Sequence, residues 1–157
     1  MIVLDANILV RAVLGRRVRD LLERYAQQGV RFIAPDVAFA DAEHHLPPVL
    51  KKFGKQDVDV YAAMRYLRLR IETLDQDLYS TFELEARKRL HGTDEDDWPV
   101  LASALALGCA VWTEDLDFFG IGITVWNTSR IEILLESEVR NIKVRRKLTD
   151  TRDREGE

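Results

Sequence analysis

The stretch Ile2-Val3-Leu4-Asp5-Ala6-Asn7 places an acidic side chain directly after an apolar, partly β-branched run. Residues 2–5 therefore predict a buried strand, and Asn7 can cap the helix that follows. A second apolar run at residues 109–113 is followed by Asp115 in a similar way. Carboxylates at the ends of buried elements are costly unless something compensates them. A divalent metal ion is the simplest compensation, because hard cations take oxygen ligands.

Apolar strands alternate with helical segments along the rest of the chain. Strands are predicted over residues 2–5, 31–34, 72–74, 109–113 and 123–126. Helices are predicted up to residue 14 and over residues 16–28, 57–70, 78–90, 97–108 and 130–136. A further helix starts at residue 35, and Pro47 and Pro48 should kink or stop it. This order indicates an α/β fold whose mostly parallel sheet is covered on both faces. Asp5 and Asp115 should emerge at the carboxyl edge of the sheet, where such folds place their sites.

The composition is that of one globular domain. The 157 residues suffice for a real core; we place the domain at residues 1–136 and expect residues 137–157 to form a charged, partly disordered tail. The net charge of −4 argues against a surface coated with positive potential but allows a basic rim around an acidic centre. A single cysteine, no signal peptide and no membrane-spanning run together predict a cytoplasmic protein.

Glu43 interrupts the apolar face of the helix that starts near residue 36. At helical spacing it shares a face with Phe39 and Leu46, so its carboxylate should point where the core is expected. A site carboxylate is one interpretation; a buried ion pair with an arginine, or a helix rotated from this register, are the others. Asp36 and Asp41 are interpreted as a cap and a surface residue.

An acidic run, residues 94–97, comes just before an apolar helix whose start is fixed by Pro99, since proline is tolerated in the first turn. The helix dipole favours acids there and explains much of the run without function. One acid should still face the strand ends; we choose Asp97, with Asp94 and Asp96 as alternatives. Asp115 and Asp117 lie in an acidic turn after the strand at residues 109–113, which is a plausible metal-side loop.

These motifs resemble those of the PIN-domain nucleases, in particular the VapC-like toxins of bacterial toxin–antitoxin pairs. Residues 2–7 resemble the family's opening strand and Asp, and residues 97–105 resemble its Asp followed by an Ala-rich helix. Residues 111–118 are similar to its strand that ends in Thr and Asp. Glu43 falls where the family's helical glutamate should be. The resemblance covers about residues 1–128.

The resemblance implies a three-layer α/β/α fold with a mostly parallel sheet of four to five strands. It implies a ribonuclease that uses Mg²⁺ or Mn²⁺, forms homodimers and is inhibited by a cognate antitoxin. The residues it implies as metal ligands are Asp5, Glu43, Asp97 and Asp115, with Asp117 as an auxiliary acid and with Asn7 and Thr113 as polar supports.

Two other functions stay open at this point. A catalytically silent PIN fold would bind RNA or a protein partner without turnover. A phosphatase resembling the haloacid dehalogenases would use Asp5 as a covalent nucleophile, but those enzymes have a second Asp where this chain has Asn7.

Overall fold

The computed structural model describes residues 1–155, and the side chains of residues 1–149. It confirms the α/β fold, with a five-stranded sheet in the order β3-β2-β1-β4-β5. All four strand pairs are parallel. The strands are β1 (Ile2–Leu4), β2 (Phe32–Pro35), β3 (Ile71–Leu74), β4 (Ala110–Trp112) and β5 (Val125–Trp126).

Strand β1 lies at the centre of the sheet, and its side chains divide the core between the two faces. Ile2 and Leu4 pack into one apolar cluster, whereas Val3 packs into the other. This division follows from the two-residue period of a strand, which sends successive side chains to opposite faces. Because β1 pairs with both β2 and β4, Asp5 emerges in the middle of the carboxyl edge.

Helices cover both faces of the sheet. They are α1 (Ala6–Leu14), α2 (Arg16–Ala26), α3 (Asp36–Lys52), α4 (Val60–Arg68), α5 (Gln76–Tyr79), α6 (Glu83–Arg89), α7 (Trp98–Leu107) and α8 (Ile131–Glu155). Helix α7 is buried over most of its length, as its apolar sequence predicted, and Pro99 lies in its first turn. The single helix predicted over residues 78–90 is wrong: the short 3-10 turn Ser80–Phe82 separates α5 from α6. None of the helices within residues 1–155 is both long and apolar enough to cross a membrane.

Two helices extend past positions at which the sequence analysis allowed or expected an end. Of the two outcomes predicted at Pro47 and Pro48, a kink or a stop, the stop is excluded, because helix α3 continues to Lys52. Both prolines are exposed, so the carbonyl groups that lose an amide partner lie on the solvent side, where water can bind them. Helix α8 does not end at residue 136 but continues to Glu155.

The charged stretch after residue 136 is thus helical as far as the structure describes it. Ile131, Leu135 and Val139 of α8 are buried in the core, so the packed part of the helix passes the predicted boundary at residue 136. The flexibility of residues 137–155 stays a prediction. Residues 156 and 157 of the predicted tail lie outside the described residues.

Candidate active site

An open cleft of about 680 Å³ lies at the carboxyl edge of the sheet. Seven acidic side chains line it, together with one arginine, Arg11, and one histidine, His45. The acids are Asp5, Asp41, Asp94, Asp96, Asp97, Glu114 and Asp115. Three of the four predicted catalytic acids are therefore brought to one place, although they come from distant parts of the chain.

Asp5 is held by two polar side chains. Asn7 Nδ2 donates to Asp5 Oδ2 at 2.6 Å, and Thr113 Oγ1 donates to the same oxygen at 2.6 Å. Asp5 is only 6% exposed. Burial raises the pKa of its carboxyl group, the hydrogen bond from Thr113 opposes this, and the charge of Asp115 raises the pKa further. One carboxylate oxygen is fixed from inside the protein while the residue still lines the cleft.

The hydroxyl group of Thr113 joins the segment that follows β1 to the segment that follows β4. Besides donating to Asp5, it accepts from Asn7 Nδ2 at 3.0 Å and from the backbone amide of Asp115 at 2.9 Å. A hydroxyl has one donor hydrogen and two acceptor lone pairs, so all of its capacity is used. Asn7 Oδ1 in turn accepts from the amide of Glu114 at 3.2 Å. This network fixes the loop that carries Asp115 relative to Asp5.

The carboxyl group of Asp97 has a pKa that is raised both by burial and by neighbouring acids. Burial, which is the largest cause, and the charges of Asp5, Asp94 and Asp115 together raise its pKa to about 7. Asp94 caps the short 3-10 turn Glu95–Asp97, since its Oδ1 accepts from the amide of Asp96 at 3.0 Å. Among the three candidates in this run, Asp97 is thus the one whose charge is coupled to both Asp5 and Asp115, as chosen from the sequence.

The 3-10 turn Glu95–Asp97, which from here on we call the acidic turn, is stabilised by contacts outside the cleft. The Trp98 ring lies 5.6 Å from that of Tyr79, whose hydroxyl donates to Asp36 Oδ1 at 2.6 Å. The guanidinium of Arg87 lies 5.2 Å from the Trp98 ring, and its Nη1 donates to the backbone carbonyl of Glu95 at 3.4 Å. Arg87 on α6 therefore contacts the acidic turn at the backbone carbonyl of Glu95 and also contacts the ring of Trp98, the residue that follows the turn.

Glu43 is not part of the cleft, which corrects the sequence prediction. Its carboxylate is 46% exposed and accepts from Arg68 Nη2 at 3.3 Å. The same guanidinium lies over the Phe39 ring at 4.2 Å. The buried residues of α3 include Phe39, Ala42 and Leu46. Glu43 follows Ala42 on the helix and is therefore turned by about 100° from it, toward α4.

Asp41 lines the cleft in place of Glu43, and the sequence analysis had assigned it to the surface. Val37, Asp41 and His45 all line the cleft and are spaced four residues apart, so they form one face of α3. Counting this four-residue spacing from the carboxyl end of β2 would have predicted from the sequence that Asp41 faces the cleft. The imidazole of His45 is held by the backbone carbonyl of Asp41, with Nδ1 at 2.7 Å from the oxygen.

Asp117 does not line the cleft either. It is exposed, and its backbone amide donates to Asp115 Oδ1 at 2.9 Å. In this structure the backbone amide of Asp117 fixes the carboxylate of Asp115. The carboxylate of Asp117 itself does not line the cleft.

The chemistry of the donors in the cleft fits a hard divalent cation. Seven carboxylates and one guanidinium line the cleft, and the charges of Asp5, Asp94 and Asp115 add to burial in raising the pKa of Asp97. Oxygen-only ligand sets of this kind suit Mg²⁺ and Mn²⁺. Among the side chains of residues 1–149, no three His, Cys, Asp or Glu residues already form a group close enough to hold a metal ion. The carboxylates would have to draw together around a cation.

Comparisons with known proteins agree with this fold. A family model described as the PIN domain matches residues 3–136. The chain is similar to a solved structure of VapBC2 from Rickettsia felis bound to a promoter DNA fragment, with 19% identity, a TM-score of 0.62, and 81% of this chain and 98% of that chain covered.

Two further solved structures share the fold. A toxin–antitoxin complex from Klebsiella pneumoniae matches with 17% identity, a TM-score of 0.55 and coverage of 82% of this chain and 98% of that chain. VapBC-1 from nontypeable Haemophilus influenzae matches with 19% identity, a TM-score of 0.51 and coverage of 82% and 99%. No curated protein matches the chain.

Proposed function

The chain belongs to the PIN domain family, and from this premise we propose that it is a divalent-metal-dependent endoribonuclease, the toxin of a toxin–antitoxin pair. The observation that carries the proposal is the convergence of Asp5, Asp97 and Asp115 on one acidic cleft at the carboxyl edge of a parallel sheet. Family membership also argues against the phosphatase alternative, in which Asp5 would be a covalent nucleophile.

In this proposal Asp5, Asp41, Asp97 and Asp115 hold Mg²⁺ or Mn²⁺. Bound there, the cation would acidify a water molecule and stabilise the charge that develops on the phosphate oxygens. The protein's own part is positioning. Asn7 and Thr113 hold one oxygen of Asp5 inward, and the network through Thr113 keeps Asp115 at a fixed place beside it.

Arg11 is the residue we assign to binding the RNA backbone next to the acids. It is the one arginine among the lining residues, and its side chain is 52% exposed. Its ion pair with Glu114 is loose, with 3.6 Å between Nη2 and Oε2. The Glu114 carboxylate is itself fixed, since Oε1 accepts from the amide of Thr128 at 2.8 Å. A guanidinium held this loosely can turn to a phosphate, which it recognises through paired donors.

Unstructured RNA is the proposed substrate form, because a single strand can bend into an open cleft. The partner proposed is a cognate antitoxin, which rests on the toxin–antitoxin complexes among the structural neighbours. A homodimer and a cytoplasmic location complete the proposal. The contrasting function is a PIN fold that binds RNA or protein without cleaving it.

The test is RNA cleavage by the purified chain, free of any antitoxin, with Mg²⁺, Mn²⁺ or EDTA. We expect cleavage of unstructured RNA with either cation, and loss of it with EDTA or in Asp5→Asn and Asp97→Asn. Asp57→Asn is the matched control, because Asp57 is exposed and does not line the cleft. Cleavage that persists in EDTA would refute the metal. Thermal stabilisation by cations without any cleavage would instead favour the silent fold.

A further inference from the structure

Helix α8 has an outward face that carries apolar side chains more than half exposed to solvent. Ile133, Val144 and Leu148 are 55%, 56% and 62% exposed. With Ser137 and Asn141 they form a line of residues three or four positions apart, which we call the outer stripe. At about 100° per residue all five fall on one side of the helix.

The opposite side of α8 is the one that packs on the protein. Ile131, Leu135 and Val139 are buried there, and Ile142 is half-buried. Residues 143–149 are exposed at every position, yet they are helical. A helix end without core contacts is only marginally stable in water. Burying the outer stripe against another helix would supply the missing contacts.

Over residues 131–149, the charges of α8 fall into an acidic half and a basic half, and residues 150–155 beyond them carry charges of both signs. Residues 131–138 include three acidic and no basic side chains, whereas residues 140–149 include five basic and no acidic ones. Two such helices side by side in parallel would bring like charges together. Antiparallel helices would place the acidic half of each against the basic half of the other. Glu132 and Glu138 already pair within the chain, with Arg24 and with the N-terminal amine, so Glu136 is the acid of this half that would meet the basic half of a second copy.

The outer stripe is also symmetric about its centre. If two copies cross between Arg140 and Asn141, then Ile133 of one lies opposite Leu148 of the other, and Ser137 lies opposite Val144. Glu136, on the flank of the stripe, falls opposite the span 143–147 of the second copy. Asn141 lies next to the middle of the stripe, and a single asparagine at a helix–helix contact is a known means of fixing register between paired helices.

From these features we infer that the outer stripe of α8 is a docking surface for the same stripe of a second copy of this chain, in antiparallel orientation. The inference deepens the proposed homodimer by assigning its interface. Most of the stripe lies beyond residue 136, where the match to the family model ends. The basic half of α8 lies near Gly29, just before β2, with Ile142 and Arg146 closest to it. The acidic cleft at the other edge of the sheet stays open.

The first test is the oligomeric state of the full chain by sedimentation at a series of concentrations. We expect a dimer whose dissociation constant rises by about tenfold or more in the double variant Val144→Glu/Leu148→Glu. The matched control is Leu84→Glu on α6, because Leu84 is 84% exposed and lies outside α8. An unchanged dimer in the double variant would overturn the inference and leave the homodimer itself standing.

A charge swap tests the partner and the orientation together. Glu136→Lys and Lys143→Glu should each weaken the dimer, and the two together should restore it, because each reversed charge again faces its opposite in the second copy. A parallel pair, an acidic protein partner or bound RNA would give no such restoration, and that result would overturn the inference. A monomeric wild type would refute both this interface and the proposed homodimer. The proposed ribonuclease activity is tested separately, by the RNA cleavage assay, and does not depend on the oligomeric state found here.

Disulfide trapping gives an independent measure of orientation. In a Cys109→Ser background, Ser137→Cys mixed with Val144→Cys should form the mixed disulfide on mild oxidation. Ser137→Cys alone should form little, since two copies of residue 137 would lie on opposite sides of the crossing point. The reverse pattern indicates a parallel pair and would overturn the inference.

Discussion

The proton of Asp97 ties the chemistry of the cleft to the stability of the fold. With a folded-state pKa of about 7 against an ordinary 3.8, the folded protein retains a proton that the unfolded chain has lost between these values. The free energy of unfolding must therefore fall as the pH rises through this range. Asp5 contributes in the same direction, because burial raises its pKa as well.

We predict that Asp97→Asn flattens this pH dependence in the metal-free protein and is more stable than the wild type near neutral pH. Urea unfolding in EDTA at about pH 5 and about pH 7.5 measures it. Asp96→Asn is the control, since Asp96 lies on the same turn but is exposed. An equal slope in wild type and Asp97→Asn would contradict the prediction.

A second prediction concerns which acid of α3 serves the site. Asp41→Asn should weaken Mn²⁺ binding by about tenfold or more, because it removes a negative charge and one of two carboxylate oxygens from the cleft. Glu43→Gln should leave Mn²⁺ binding nearly unchanged, because the carboxylate of Glu43 faces Arg68. Calorimetric titration of both variants with the metal alone decides between them. The opposite order would restore Glu43 to the site.

The sequence predicted the positions of acids that follow strands. It did not predict which acid of a helix faces the cleft, because that depends on how the helix is rotated about its axis. Asp5 and Asp115 follow buried strands of a parallel sheet, so their common edge was implied by topology. On α3, however, each residue turns the direction by about 100°, so Asp41 and Glu43, two positions apart, point to nearly opposite sides of the helix. The packing of α4 against α3 decided between them, and a single sequence does not contain that contact.

At the scale of elements, α6 carries two similar ion pairs that have different neighbours. Arg87 pairs with Glu83 and Arg89 pairs with Glu85, both four residues apart. Arg87 also contacts the acidic turn through Trp98 and the carbonyl of Glu95. The guanidinium of Arg89 instead donates to the carbonyls of Ile121 and Gly122.

We predict that Arg87→Gln lowers Mn²⁺ affinity by about tenfold, in the range found for groups that orient metal ligands. Arg89→Gln loses an equivalent ion pair and should leave Mn²⁺ affinity unchanged. Calorimetry with the metal alone and urea unfolding of both variants separate a positioning effect from a general loss of stability. Equal losses of affinity in the two variants would show that Arg87 acts only through the stability of α6.

Element boundaries were harder to predict than element types. The sequence indicated a helix at α3, but its end depended on whether solvent could bind the carbonyl groups freed by Pro47 and Pro48. It indicated a helix from residue 130, but the charged residues after 136 suggested disorder. Val139 and Ile142 recur on the buried face of α8 and continue its apolar pattern, and that spacing was too sparse to outweigh the surrounding charge.

At the scale of the whole molecule, the extent of α8 decides how much chain the domain needs. Ending the chain after residue 142 removes the exposed basic end and keeps Val139 and Ile142 in the core. Ending it after residue 136 removes both side chains and also Glu138, which is paired with the N-terminal amine at 2.7 Å. We predict that the shorter chain loses about 2–5 kcal/mol of unfolding free energy, as for other buried aliphatic deletions.

The longer truncated chain should keep the stability of the monomer and lose the dimer, because it lacks Val144 and Leu148 of the outer stripe. Urea unfolding at low protein concentration, together with sedimentation, measures the two properties separately. Equal stability of the chains that end at residues 136 and 142 would place the end of the domain at 136, where the family match also ends. A difference in stability between them would show instead that the core of this chain extends past the part it shares with its family, into the helix that we propose joins two copies.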